Sequence, residues 1–158
     1  MRIQKINEEM AMEILQWKYE PPYDFYNNEA TPEALAELLE NNYQGIISSQ
    51  EELIGFFCTG TAAQVPSGAL LGVYEEKMLD IGLGMKPVLT GNGKGTDFFS
   101  FVINTIQKQN ESIPLRLTVA SFNQRAIHLY KKFGFVHKFE FTSGPYDFMT
   151  MIQVKTHE

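Results

Sequence analysis

The sequence predicts an α/β protein of the α+β type, with a mixed sheet that carries helices on its faces. Short strand-like and helix-like segments follow one another in the order β-α-α-β-β-β-α-β-α-β-β, which indicates about seven strands and about four helices. The chain has 158 residues, of which 44% are hydrophobic and 13% aromatic, enough to fill one core. It contains no repeat, low-complexity tract or linker. We therefore expect a single domain over residues 1–158.

Local signals place the elements along the chain. Asn7 is suited to cap the first helix, the Pro21-Pro22 pair ends it, and Thr31 with Pro32 and an acidic first turn begins the second. The predicted elements are, in order, a strand over 1–6, a helix over 8–17, a loop over 18–30, a helix that begins at Thr31, paired strands over 45–48 and 53–58, an irregular excursion over 61–74, a strand over 77–85, a helix over 94–109, a strand over 115–120, a helix over 123–133, and strands over 135–141 and 147–154.

Composition excludes several classes of function. The formal net charge is −6 and no run of lysine or arginine offsets it, so we expect neither nucleic-acid nor membrane-surface binding. Cys58 is the single cysteine, which rules out an internal disulfide, and the three histidines are too scattered to suggest a metal site. The N-terminus lacks the apolar segment of a signal peptide, and no apolar run approaches ~20 residues. A cytoplasmic protein is the expectation.

The stretch Gly91-Asn92-Gly93-Lys94-Gly95 lies between a predicted strand and a predicted helix. Glycine at every second position leaves backbone N–H groups unobstructed at the positive end of a helix, which predicts a site for phosphate. A dinucleotide-binding loop would need glycine where Thr96 stands, and a P-loop would need serine or threonine where Gly95 stands. Both of these designs are excluded, while a plain glycine-rich turn from strand to helix stays open.

A second segment, residues 117–135, reads as a strand followed by a helix with clear ends. Asn123 is suited to cap the helix and Gly134 to end it. Asn123 and Tyr130 are about two turns or ~10 Å apart on one side of this helix, with the small Ala126 between them. A polar group, a gap and a phenol would therefore line one groove. The alternative is an amphipathic helix whose tyrosine lies in the core.

Together the two segments resemble the GCN5-related N-acetyltransferase (GNAT) superfamily over residues 77–135. Residues 90–95 are similar to its pyrophosphate loop, Q/R-x-x-G-x-G/A, with Thr90 in place of the long side chain. Residues 117–135 are similar to its second cofactor segment, a strand followed by N-x-R-A and L-Y-x-x-x-G-F. The resemblance implies the single-domain GNAT fold, in which the sheet is mostly antiparallel and two strands splay apart at the cofactor site.

The resemblance also implies transfer of the acetyl group of acetyl-CoA to an amine by direct attack, without a metal. Backbone groups of the strand would bind the pantetheine arm, the glycine loop would bind the pyrophosphate, and Tyr130 would protonate the departing thiolate. The matching cofactor-binding positions are Leu83, Gly84, Met85, Thr90, Gly91, Asn92, Gly93, Lys94, Gly95, Thr96, Asn123, Ala126 and Tyr130. Asp80 is the first candidate for the base that deprotonates the ammonium. A water chain, or no dedicated base, is the alternative.

The loop between the first two helices is rich in aromatic residues and acids. In the family this region borders the acceptor site, so Glu20, Tyr23, Asp24 and Tyr26 are predicted to bind the substrate, because carboxylates and aromatic faces attract cationic amines. A polyamine, an amino sugar, an amino acid or a peptide N-terminus would fit. The alternative is that the aromatic residues only anchor the loop to the core.

Two other classes of function stay open. The first is a non-catalytic acetyl-CoA sensor, and the second is a protein-interaction domain that uses the aromatic loop as a docking surface. The two C-terminal strands could also support pairing into a homodimer.

Overall fold

The computed structural model describes residues 1–91, 93–110 and 113–153. Its strands are β1 (Arg2–Lys5), β2 (Gln44–Ile47), β3 (Leu53–Thr59), β4 (Leu79–Met85), β5 (Leu115–Ala120), β6 (Phe135–Ser143) and β7 (Tyr146–Gln153). Its α-helices are α1 (Glu8–Gln16), α2 (Pro32–Glu40), α3 (Pro66–Leu70), α4 (Gly95–Gln109) and α5 (Gln124–Lys132). Short 3₁₀ turns span Tyr23–Tyr26, Gly60–Ala63 and Pro87–Leu89.

The strands form one seven-stranded sheet in the order β1-β2-β3-β4-β5-β7-β6. The β1–β2, β2–β3, β5–β7 and β6–β7 pairs are antiparallel, whereas β4 and β5 are parallel. The ladder between β4 and β5 joins Leu79–Ile81 to Leu115–Leu117. Beyond Ile81, the last residue of β4 in this ladder, the strand continues to Met85. The predicted mixed, mostly antiparallel α/β sheet is confirmed.

The chain divides into two compact units. The first comprises Met1–Cys58 and the described part of Leu83–Asn104. Here α1 begins where the Asn7 side chain accepts a hydrogen bond from the Met10 N–H at 2.8 Å, and α2 begins where the Thr31 hydroxyl accepts one from the Ala34 N–H at 3.1 Å. Both predicted caps are confirmed. The buried residues of this core include Ile6, Met10, Ala11, Ile14, Leu15, Trp17, Leu38, Ile47 and Leu53.

The second unit comprises Thr59–Gly82 and the described part of Thr105–Glu158. Its core lies around β5 and β7, where Leu115, Leu117 and Met151 are almost fully buried. Helix α5 buries Ile127, and Phe135 at the start of β6 is 1% exposed. Along β7, Phe148, Thr150 and Met151 are buried, whereas Tyr146 and Asp147 at its start are exposed.

The excursion predicted over 61–74 is more regular than the sequence indicates. It contains the 3₁₀ turn Gly60–Ala63 and the short helix α3, with Pro66 at its first position. Five residues are too few to show helical periodicity, which explains why the described residues form five α-helices rather than about four. The predicted end of the last strand, Val154, and His157 lie outside the described residues. No helix in the described part of the chain is long and apolar enough to cross a membrane.

Candidate functional site

The described part of the glycine loop contains two glycines in a left-handed backbone conformation. Gly91 and Gly93 have φ of 75° and 74°, in the left-handed region that residues with a Cβ adopt only at a cost. A Cβ at Gly93 would meet nothing within 4 Å. Glycine is therefore required there by the course of the backbone and not by crowding, and the space above the loop is open. Asn92 lies outside the described residues.

Helix α4 begins directly after this loop. The Lys94 carbonyl accepts the first helical hydrogen bond, from the Phe98 N–H at 3.2 Å. The N–H groups of the first turn, from Gly95 to Asp97, have no carbonyl of the preceding turn to bond. They carry the positive end of the helix dipole. Lys94 and Thr96 are exposed to solvent, so the loop and the helix start together present backbone donors suited to an anion.

Thr90 stands where the family pattern has a long polar side chain. Its hydroxyl donates to the Pro87 carbonyl at 2.7 Å and its N–H donates to the same oxygen at 3.1 Å. Thr90 thus closes the 3₁₀ turn Pro87–Leu89 and fixes the direction in which the chain enters the glycine loop. The Thr90 hydroxyl therefore already donates its hydrogen bond to a backbone carbonyl.

Glycine at position 84, near the end of β4, leaves no room for a larger residue. A Cβ placed there would lie 2.5 Å from the Phe56 ring, so the ring packs against bare backbone. A Cβ at Gly55 on β3 would lie 2.7 Å from the Gly84 carbonyl oxygen. The two glycines therefore allow close approach of backbone and ring at the segment predicted to bind pantetheine, which comprises Leu83, Gly84 and Met85.

The peptide group between Met85 and Lys86, at the end of β4, makes hydrogen bonds in two opposite directions. The Lys86 N–H donates to the Ile54 carbonyl of β3 at 2.9 Å. Because a trans peptide directs its N–H and C=O in opposite directions, the Met85 carbonyl points away from β3. There it accepts a hydrogen bond from the Tyr19 hydroxyl at 2.7 Å. Burial raises the pKa of Tyr19 to about 12, so the hydroxyl stays a donor across the physiological range.

The predicted acceptor loop is partly structured. Tyr23, Asp24 and Tyr26 lie in a 3₁₀ turn, with Asp24 and Glu20 exposed and both tyrosines half-buried. The Tyr26 ring meets the Tyr19 ring edge to face, with centroids 6.4 Å apart. The loop thus combines exposed carboxylates with aromatic faces, and its role in substrate binding stays a prediction.

Trp17, just before this loop, has an anchoring role. It is 7% exposed and lies against Phe56, with ring centroids 6.2 Å apart. The alternative that aromatic residues anchor the loop to the core therefore holds for Trp17. Its indole nitrogen is buried without a hydrogen-bond partner among the described residues.

Asp80, the predicted base, lies in the second unit and is 3% exposed. Its Oδ1 accepts from Nε of Arg116 at 2.6 Å, and its Oδ2 accepts from Nη2 of Arg116 and Nε2 of Gln64, both at 2.8 Å. Hydrogen bonding to Asp80 raises the pKa of Arg116. Both oxygens of this carboxylate already accept hydrogen bonds, so Asp80 is poorly placed to accept a proton from a substrate.

The Arg116 guanidinium extends this buried network. It lies over the Tyr74 ring, 5.1 Å from its centroid, and donates to the Glu76 carbonyl at 3.0 Å. The Tyr74 hydroxyl is 2.7 Å from Oγ1 of Thr118. The Asp80–Arg116 pair therefore joins β4 to β5. The contacts of Arg116 with Tyr74 and Glu76 hold the segment before β4 against β5. The sequence analysis did not single out Arg116 as the partner of Asp80, because no local pattern marks it.

Helix α5, also in the second unit, carries the remaining predicted residues. The Asn123 side-chain oxygen accepts from the Ala126 N–H at 3.1 Å, which confirms the predicted cap. Gly134 ends the helix region with φ of 86°, and its N–H donates to Lys131 O at 3.1 Å. Tyr130 is half-buried, with its ring 6.3 Å from that of Phe135. The ends of this helix are those that the sequence predicts.

The predicted site residues fall in both units. Leu83–Met85, the described glycine-loop residues and the acceptor loop belong to the first unit, and Asp80, Asn123, Ala126 and Tyr130 belong to the second. Among the described residues, no group of three or more His, Cys, Asp or Glu is placed to hold a metal ion.

Comparison with known proteins identifies the class. Residues 9–135 match the acetyltransferase (GNAT) family. The chain therefore belongs to that family, and the resemblance inferred from the two cofactor segments is confirmed. No match was found among the curated proteins.

Solved structures share the fold at low sequence identity. AAC(6')-Ib in complex with ribostamycin and coenzyme A has a TM-score of 0.71 and 17% identity, with 97% of this chain and 92% of that chain covered. A chimera of the Vibrio cholerae spermidine N-acetyltransferase SpeG with hSSAT has a TM-score of 0.67 and 18% identity, with 97% and 95% covered. A GNAT-family acetyltransferase from Bacillus anthracis has a TM-score of 0.69 and 13% identity, with 95% and 92% covered. These likenesses show the GNAT fold.

Proposed function

We propose that this chain is an acetyl-CoA-dependent N-acetyltransferase that acetylates a primary amine of a small molecule or peptide by direct attack. The observation that carries the proposal is the pair of left-handed glycines, Gly91 and Gly93, directly ahead of the N-terminus of α4. Backbone N–H groups at a helix start are a chemically suitable donor set for a pyrophosphate. Family membership supports the same assignment.

The proposed roles follow the family pattern. The glycine loop with Lys94, Gly95 and Thr96 binds the pyrophosphate, and backbone groups of Leu83–Met85 bind the pantetheine arm. Asn123 donates from its amide nitrogen to that arm, which leaves its capping oxygen on Ala126 undisturbed. Ala126 leaves room beside the arm.

The chemical step forms a bond between the amine nitrogen and the acetyl carbon and breaks the bond between that carbon and sulfur. In the proposal Tyr130 supplies the proton that the departing thiolate needs. The amine must lose a proton as well. Because Asp80 is held by Arg116 and Gln64, we propose water as the acceptor of that proton, and water also returns a proton to the Tyr130 phenolate.

A thiol-release assay tests the proposal directly. The protein is incubated with acetyl-CoA and a panel comprising a polyamine, an amino sugar, amino acids and a peptide with a free N-terminus. Calorimetry with acetyl-CoA is run in parallel. Binding with amine-dependent release supports the enzyme. Binding without release from any amine would instead indicate the sensor, and absence of binding would leave the interaction domain.

The phosphate assignment has a matched pair of variants. Gly93 and Gly60 have φ of 74° and 83°, and a Cβ at either meets nothing within 4 Å. Alanine at each position should cost about 1 kcal/mol of backbone strain. Gly93→Ala should in addition weaken acetyl-CoA binding about fivefold, because the loop must return to a strained conformation to bind. Equal acetyl-CoA affinities for Gly93→Ala and Gly60→Ala would contradict the assignment.

Tyr130→Phe tests the proposed acid. Loss of the phenol proton should lower turnover by about 10²-fold, the range found for general acids, with acetyl-CoA affinity within twofold. Tyr146→Phe is the control, since Tyr146 is 41% exposed on β7 and has no proposed role. Unchanged turnover in Tyr130→Phe would remove this tyrosine as the acid.

For the acceptor we propose a cationic amine held by the loop that contains Glu20, Tyr23, Asp24 and Tyr26. The exposed carboxylates and half-buried rings support this. Two structural neighbours are a spermidine N-acetyltransferase chimera and an enzyme in complex with ribostamycin, and both of these compounds carry amines. Neutralising Glu20 and Asp24 together should raise the KM of a polyamine about tenfold. The control neutralises Glu33 and Glu40, exposed acids of α2, and should leave that KM unchanged.

A further inference from the structure

A hydrogen bond connects the predicted acceptor loop to the predicted cofactor strand within the first unit. The Tyr19 hydroxyl donates to the carbonyl of Met85, the last residue of β4, at 2.7 Å. The two residues are separated by 66 positions in sequence. The contact is therefore a tertiary one and not a local feature of the loop.

The direction of the Met85 carbonyl shows which side of β4 Tyr19 contacts. The Lys86 N–H of the same peptide group is used by β3, through the Ile54 carbonyl at 2.9 Å. The Met85 carbonyl consequently faces away from β3. In the proposed function that side of β4 receives the pantetheine arm. Tyr19 therefore reaches the strand at the end of the row of backbone groups assigned to the cofactor.

The loop side of the bond is also fixed. The Tyr19 N–H donates to the Asn27 side-chain oxygen at 2.6 Å, and the Lys18 ammonium donates to the Asn28 carbonyl at 3.0 Å. The start of the loop is thereby bound to its end, with Glu20 to Tyr26 between. A displacement of Tyr19 must carry the whole closed loop with it.

We propose that Tyr19 is a positioning residue, whose hydroxyl holds the acceptor loop against the end of the cofactor strand and so sets where the amine lies relative to the acetyl group. The inference rests on the proposed function. It assigns the Met85 carbonyl to the loop, and leaves the other backbone groups of Leu83–Met85 for the pantetheine. The residue contacts neither substrate in this assignment and acts through the loop.

Tyr19→Phe removes the hydroxyl and keeps the ring that packs on Tyr26. We expect the KM of the acceptor amine to rise at least about fivefold, the equivalent of one ordinary hydrogen bond, with kcat and acetyl-CoA affinity within twofold. Tyr43→Phe is the matched control. Tyr43 is a half-buried tyrosine of the same unit whose hydroxyl donates to Glu37 at 3.2 Å, so its removal should leave all three parameters unchanged.

Hydrogen exchange supplies a readout that needs no activity. In Tyr19→Phe, peptides covering residues 19–27 should exchange faster, while those covering β2 and α2 keep their wild-type rates. Unchanged exchange over 19–27 would overturn the proposal. An unchanged amine KM, or a joint shift of amine KM and acetyl-CoA affinity, would also overturn it. Failure of the proposed function itself appears separately, as a wild-type protein that releases no thiol from acetyl-CoA with any amine.

Discussion

Replacing Asp80 with asparagine separates the structural role of this carboxylate from the catalytic one. Both side chains of the Asp80–Arg116 pair are 3% exposed. Removing one charge of a buried pair leaves the other uncompensated, which typically costs 3–5 kcal/mol. Asparagine keeps one oxygen that can accept from Arg116. We therefore expect Asp80→Asn to lower the free energy of unfolding by about 3 kcal/mol.

For a chain of 158 residues, each kcal/mol shifts the melting temperature by roughly 2–4 °C. Asp80→Asn should therefore melt about 6–12 °C below the wild type. Glu51→Gln is the control, because Glu51 pairs with Arg2 on the surface, where the side chains are 71% and 51% exposed. Exposed pairs contribute little, so the control should melt within about 2 °C of the wild type.

Kinetics are then measured well below both melting temperatures. If Asp80 is structural, the turnover number and its pH profile should match those of the wild type within about threefold. The reasoning is refuted if Asp80→Asn melts at the wild-type temperature, or if it loses turnover by tenfold or more with the acid limb of its pH profile removed. The second result would restore Asp80 as the base.

Three further predictions follow from local geometry. Gly84→Ala should destabilise the protein by about 1–3 kcal/mol in thermal melts, because the new Cβ would lie 2.5 Å from the Phe56 ring; Phe56→Leu in the same chain should restore part of the loss. Burial raises the pKa of Tyr19 from 10.0 to about 12, so the folded state holds this proton more tightly than the unfolded state. Between pH 10 and 12 the free energy of unfolding should therefore fall by about 2 kcal/mol more in the wild type than in Tyr19→Phe, measured by denaturant unfolding at each pH. Asp97, in the first turn of α4, opposes an anion there; Asp97→Asn should tighten acetyl-CoA binding about twofold by calorimetry, and weaker binding would contradict the placement of the pyrophosphate.

The sequence alone predicted the helix caps and the glycine positions, because these depend on residues close together in the chain. The caps Asn7, Thr31 and Asn123 each bond to an N–H three residues later, so the residue types that make them are visible in a short window. Gly134 and the glycine loop are equally local, since each requires a left-handed φ. These signals bounded the helices and, through the two family segments, identified the fold.

Contacts between segments that are distant in the chain could not be predicted from the sequence. The sequence marks Asp80 as a candidate base, and only the structure shows that Arg116, 36 positions later, lies against it in the parallel ladder. Tyr19 reads as one aromatic residue among several until its hydroxyl meets Met85. Strand alternation gives a side chain's face but not its partner, because partners depend on register and strand order. The partners of Asp80 and the contact of Tyr19 with Met85 therefore could not be predicted from the sequence.

In the proposed function the glycine loop binds an anion although Thr90 replaces the family's long side chain and the formal charge of the protein is −6. The Thr90 hydroxyl holds the Pro87 carbonyl and so fixes the entry to the loop, which a longer side chain directed at a ligand would not do. The donors proposed for the anion are backbone N–H groups, whose dipoles act over the first helical turn. Acidic side chains beyond about 10 Å are screened at 0.1 M salt. The local course of the backbone can therefore outweigh the net charge, and the φ angles of Gly91 and Gly93, not a cluster of cations, are what the acetyl-CoA assignment depends on.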